Sequence, residues 1–79
     1  MKSIEWRESG WTVIQESDPE KHLLEIACLA EDGKVVEIRK RHNDGEEEKL
    51  KGKLDDTYSL PMDFVEFKKA ITKGILKLK

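Results

Sequence analysis

Asp32-Gly33 separates two apolar-rich runs, His22 to Ala30 and Lys34 to His42, and no other feature restricts the fold as strongly. A tight β-hairpin with a two-residue loop needs positive φ at both central positions, which Asp-Gly supplies and most residue pairs resist. The pair therefore predicts two antiparallel strands, with Leu29 opposite Val36, Ala27 opposite Ile38 and Ile26 opposite Arg39. On that register one face holds Ala27, Leu29, Val36 and Ile38 and is the expected core face. The other mixes Leu24, Ile26, Cys28 and Val35 with Glu37, Arg39 and Arg41. A half-apolar, half-basic face of that kind suits a partner.

The remaining elements follow from punctuation and period. Trp11 to Glu16 is rich in β-branched and aromatic types and reads as a first strand, closed by the breaker Pro19. Asn43-Asp44-Gly45 is a second turn signal, and Glu46 to Asp56 reads as a charged loop or a loosely paired ribbon. Thr57 to Leu60 is expected to be a short fourth strand. From Pro61 the period becomes helical, with Phe64, Phe67, Ile71, Ile75 and Leu78 on one stripe. Pro61 suits a first helical turn and Asp63 the positive end of the dipole. Gly74 is placed to stop the helix with a left-handed cap, leaving Ile75 to Lys79 as a tail. The expected fold is α+β, a four-stranded antiparallel sheet followed by one C-terminal helix (ββββα), in one domain over residues 1–79.

Size limits the core. In 79 residues only 37% are hydrophobic while 41% are charged, and a single cysteine, Cys28, leaves no internal disulfide. A second copy would supply buried area that so small a chain lacks, so a homodimer is expected, with Phe64, Phe67 and Ile71 at once core and dimer contact. No apolar run is long enough to span a membrane, and the expected setting is intracellular, in cytoplasm and nucleoid or in a nucleus.

Charge is unevenly placed. Up to Asp32 there are three basic and eight acidic residues, a balance of −5, and from Gly33 onward twelve basic and nine acidic, a balance of +3. These sum to the formal −2 of the whole chain. Partners respond to local potential more than to the sum, because exposed charges are screened beyond a Debye length. Arg39 and Arg41 share a strand face, Lys34 precedes them, and Lys49, Lys51 and Lys53 follow in the charged loop. Arginine forks suit phosphate. The plainer alternative is a solvated face on which those arginines pair with glutamates such as Glu25 or Glu37. Glu46-Glu47-Glu48 beside the loop lysines would repel phosphate unless they shield the site or meet a protein.

Catalytic chemistry finds little to work with. Two widely spaced histidines and one cysteine make no metal-ligand pattern, no glycine-rich loop opens a helix, and Asp55-Asp56 lies in a polar stretch without burial to separate two pKa values. No enzyme activity, metal or cofactor is expected.

The "DGKVVEIRKRH" hairpin, the lysine-bearing loop, "TYSL" and "PMDFVEFKKAI" together resemble the positive cofactor four family of transcriptional coactivators. With the first strand included, the resemblance covers roughly residues 11–73. Gly33-Lys34 at the hairpin, Ile38-Arg39 late in the third strand and Ser59-Leu60 before the helix carry it by order and spacing. The resemblance implies a dimeric ββββα unit that binds single-stranded DNA with little sequence preference, RNA and melted duplex being the other candidates. It implies Lys34, Arg39, Arg41, His42, Lys49, Lys51 and Lys53 as the nucleic-acid contacts, and transcription or replication proteins as further partners. The chain departs from the family where an aromatic, most often Trp, follows the conserved-type arginine by three residues: His42 stands there. Glu31-Asp32 replaces an aromatic–lysine pair before the hairpin glycine, and the loop from Asn43 to Asp56 is a little longer. Base stacking on aromatics contributes about 1–3 kcal/mol per base, so another ring must serve, and Trp6 and Trp11 are nearest. On residue type alone both tryptophans suit core or interface better than a platform. The function alternative from another class is a small dimeric protein-interaction module with no nucleic-acid role.

Overall fold

The computed structural model describes residues 4–78. Strands β1 (Gly10–Asp18), β2 (Leu23–Glu31), β3 (Lys34–His42) and β4 (Glu47–Leu50) form an antiparallel sheet in the order β1-β2-β3-β4. A two-residue strand, β5 (Met62–Asp63), pairs with the start of β3 and leads into helix α1 (Phe64–Thr72). The architecture is a four-stranded antiparallel sheet followed by one C-terminal helix, with β5 as a short addition.

The hairpin turn takes the expected form, with φ of 50° at Asp32 and 77° at Gly33. Its register departs from the expected one. Glu31 pairs with Lys34 and Ala30 with Val35, but Leu29 then pairs with Glu37, Cys28 with Ile38, Ala27 with Arg39 and Ile26 with Lys40. Val36 is the extra residue of a β-bulge, and Glu37 to Arg41 are shifted by one until Leu24, an extra residue of β2, restores the original offset at Leu23 and His42. The core face is therefore Ile26, Cys28 and Ala30 with Val35 and Ile38, all at most 1% exposed, and not the expected set of Ala27, Leu29, Val36 and Ile38. A second shift between Val13 and Gln15 of β1 does the same for that strand, and Ile14 turns toward the core cluster.

Two segments change roles. The fourth strand is Glu47–Leu50, within the stretch expected to be a loop or loose ribbon, where Ile38 pairs with Leu50 and Arg39 with Lys49. Thr57 to Leu60, the expected fourth strand, makes only a single bridge, Ser59 to Lys53. The Asp55 carboxylate explains this, since it accepts from the Thr57 and Tyr58 N–H groups at 2.8 and 2.7 Å and folds the segment into a turn.

The helix starts later than expected, because Asp63 is its N-cap: the carboxylate accepts from the N–H groups of Val65 and Glu66 at 3.1 and 3.2 Å. Pro61 lies upstream, before β5. Gly74, with φ of 70°, ends α1 as expected: its N–H donates to Ile71 O and the Ile75 N–H to Ala70 O, a Schellman closure. That closure breaks the helical period. Ile75 is 61% exposed, while Leu76 turns back into the core in the place expected for Ile75. Phe64 and Phe67 are buried against the sheet within the single chain, and Trp6 meets both rings edge-on at centroid distances of 6.0 and 6.2 Å. Trp6 is thus a core lid.

Phe67 is fully buried at the centre of this cluster. Phe67→Ala should lower unfolding free energy by about 3–5 kcal/mol, and Asp63→Ala by about 1 kcal/mol, both read from urea denaturation curves.

Candidate nucleic-acid interface

The face of the sheet turned away from α1 is ordered in rows by the register. Trp11, Leu29 and Glu37 form one row, and Val13, Ala27, Arg39 and Lys49 the next. Glu16, Glu25, Arg41 and Glu47 form a third. The bulge at Val36 is what brings Arg39 and Arg41 to this side, with Lys34 at its hairpin end.

Arg39 crosses the sheet. Its guanidinium carbon lies 4.4 Å from the centroid of the Trp11 ring, two strands away. Neighbouring strands stand nearly 5 Å apart, so the contact spans about 10 Å of sheet. It is possible because the residue between them is Ala27, whose small side chain leaves a floor for the arginine to lie on. Cation–π attraction holds the guanidinium over the ring. Arg39 Nε is buried and has no hydrogen-bond partner, and no carboxylate pairs with Arg39 among the described residues. Lys49, across from it, and Lys34 likewise make no ion pair among the described residues.

The other cations are engaged. Arg41 Nη1 lies 3.2 Å from Glu25 Oε1, and its Nε 3.8 Å from Glu47 Oε1. Lys51 Nζ is 3.3 Å from Glu37 Oε1, and Lys53 Nζ is 3.8 Å from Asp56 Oδ1. His42 stands opposite buried Leu23 and lines a recess of about 400 Å³ with Glu46, Glu47 and Glu48. The seven basic and histidine positions singled out by sequence therefore separate: Lys34, Arg39 and Lys49 free on one face, Arg41 and Lys51 on that face but paired, Lys53 and His42 elsewhere. Of the helix stripe, Phe64 and Phe67 are internal, and Ile71 is half-buried at the edge of the cluster.

The sequence points to Trp11, with Trp6, as a stand-in for the missing aromatic, but not to its contact with Arg39. Its signal was the match between an aromatic on β1 and an arginine on β3 across an alanine, but seeing it required the bulged register.

On the core side, burial pushes the Cys28 thiol up from its ordinary value near 9 to about 11, against the opposing effect of hydrogen bonds with the Thr12 and Cys28 backbone. Among the described residues no three His, Cys, Asp or Glu side chains gather in a group able to hold a metal ion, and no helix is long and apolar enough to cross a membrane. No protein-family model, curated protein or solved structure matches the chain.

Cys28 should resist a thiol reagent such as DTNB at pH 8 in the folded protein and react fast in urea. Its folded pKa is the higher one, so the neutral thiol's contribution is whole below about 9 and is lost as pH rises toward about 11. Urea midpoints should fall over that window, and a Cys28→Ala variant should show a smaller fall.

Proposed function

We propose that the protein is a non-catalytic binding protein that takes single-stranded nucleic acid on the open face of its sheet, with little sequence preference. Support comes from one observation above all, the Arg39 guanidinium over the Trp11 ring at 4.4 Å from its centroid, beside an unpaired Lys49. A flat cation backed by an indole offers a stacking surface for any base, and the free lysines supply phosphate contacts. The resemblance to the positive cofactor four family points the same way. Single-stranded DNA is the preferred ligand in this proposal, and Trp11 with Arg39 takes the place of the aromatic absent at His42.

The proposal includes a homodimer. Because Phe64 and Phe67 are already inside the chain, the apolar groups left for a second copy along the helix are Val65, Ile71 and Ile75, with Val65 and Ile75 more than half exposed. Sedimentation at micromolar concentration should give twice the 9.2 kDa chain mass.

A second function is favoured by a different observation. Arg41 and Lys51 are already held by their own carboxylates, and tryptophan and arginine are frequent anchors in protein interfaces. A mixed-charge protein partner would use the same face.

The deciding measurement is a fluorescence titration with a Trp6→Phe variant, which leaves Trp11 as the only indole. Saturable quenching by dT oligonucleotide, weaker with duplex, is the expected result. Each neutralised phosphate should contribute about −0.7 to the slope of log K against log salt. Arg39→Ala should weaken binding by about 1–3 kcal/mol while lowering unfolding free energy by only about 0.5–1 kcal/mol through the lost contact with Trp11. Weak binding to both forms that vanishes at ordinary ionic strength would transfer the face to a protein partner.

A further inference from the structure

The third row of the open face treats its arginine differently from the second. Arg39 meets no carboxylate, whereas Arg41 has Glu25 of β2 on one side at 3.2 Å and Glu47 of β4 on the other at 3.8 Å. The two acids lie on different edges of the guanidinium, at Nη1 and Nε, and each meets a donor that a phosphate fork would otherwise use. Glu46 and Glu48, the neighbours of Glu47, make no ion pair among the described residues, and Glu48 pairs in register with Lys40 on the opposite face. Strand alternation thus selects one glutamate of the three for Arg41.

Resting on the nucleic-acid assignment of this face, we infer that Glu25 and Glu47 are affinity-limiting residues: they form a carboxylate latch on Arg41 that holds it back from a bound polynucleotide strand. A mononucleotide bound at Arg39 and Lys49 carries no second phosphate to compete for Arg41. A strand anchored there brings its next phosphate to Arg41, where it meets two carboxylates in place of a free guanidinium. The pairs are exposed, with Arg41 at 47% and the acids at 32% and 46%. Exposed pairs of this kind are weak, so the latch lowers strand affinity by a small factor and does not abolish binding.

The test compares two variants of equal charge, Glu25→Gln with Glu47→Gln, and Glu46→Gln with Glu48→Gln, titrated with dT oligonucleotide and with thymidine monophosphate. The latch variant should bind the oligonucleotide about three- to tenfold more tightly, as expected for freeing an arginine from weak exposed pairs. Its salt slope should steepen by about 0.7, one further phosphate contact. The ratio of oligonucleotide to monophosphate affinity should rise, because the monophosphate at Arg39 and Lys49 does not reach Arg41, and adding Arg41→Ala should erase the gain. The control pair should gain less, with an unchanged slope. Equal gains and slopes in both pairs would overturn the latch and leave only net charge, with the binding face intact. Absence of oligonucleotide binding in the wild type and in every variant would overturn the face assignment and the latch together.

Discussion

Val36 is the residue on which the two faces of the sheet depend. In an unbroken strand alternate side chains share a face, so Val35 could not lie on the core side together with Ile38. The extra residue at Val36 lets both do so, each fully buried. The same shift carries Glu37, Arg39 and Arg41 to the opposite side. Without it, either Val35 would leave the core or the two arginines would enter it, and an unpaired buried guanidinium is far costlier than a local bend. Lys40 shows what the core side demands of a cation. It is 7% exposed in a row with Ile26, where the long apolar stem of a lysine can cover core surface.

The core is closed from three directions with few residues. One short helix brings Phe64, Phe67 and Ala70, the segment before β1 brings Trp6, and the turn after Gly74 brings Leu76. Each depends on a local polar contact at its root. The Phe64 N–H donates to Gly33 O at 2.9 Å, tying the helix start to the hairpin turn. The Arg7 N–H donates to buried Thr12 Oγ1 at 2.9 Å, which fixes the chain entering β1. A cluster of this size stays dry only if its rim is pinned, since a small domain has little apolar area in reserve.

Legibility in the sequence followed the range of the interaction. The Asp32-Gly33 turn, the Gly74 cap and the burial of Phe64 and Phe67 were readable because each is set by a residue and its near neighbours. The register of β2 with β3 was not, because a bulge leaves no composition signal: Val35 and Val36 are both β-branched, and which one is extra is decided by the packing of Ile38 and Phe67 below. The fourth strand was misplaced for a similar reason. Glu47 to Leu50 has little strand propensity and pairs because β3 offers it an open edge, whereas Thr57 to Leu60 has the propensity but is bent by Asp55. On the candidate site, Arg39 and Arg41 share a strand face as expected, and Arg41 pairs with Glu25 as the plainer solvated-face alternative had it. Trp11 was not assigned its place, because its contact with Arg39 spans an intervening strand and depends on Ala27 being small.

The charge on this face is therefore better described by pairing than by count. Within the three rows and their Lys51 partner, four cations face four acids, a balance near zero that suggests no polyanion site. Their positions are not equivalent. Glu37 is committed to Lys51, and Glu25 and Glu47 to Arg41, so the carboxylates gather around cations at the sides while Arg39 and Lys49 keep theirs unopposed between them. Opposed pairs produce fields that cancel within a few ångströms, whereas an unopposed arginine on an apolar floor of Val13, Ala27 and Trp11 projects its field outward. An acidic chain can thus carry a cationic centre without a cationic surface.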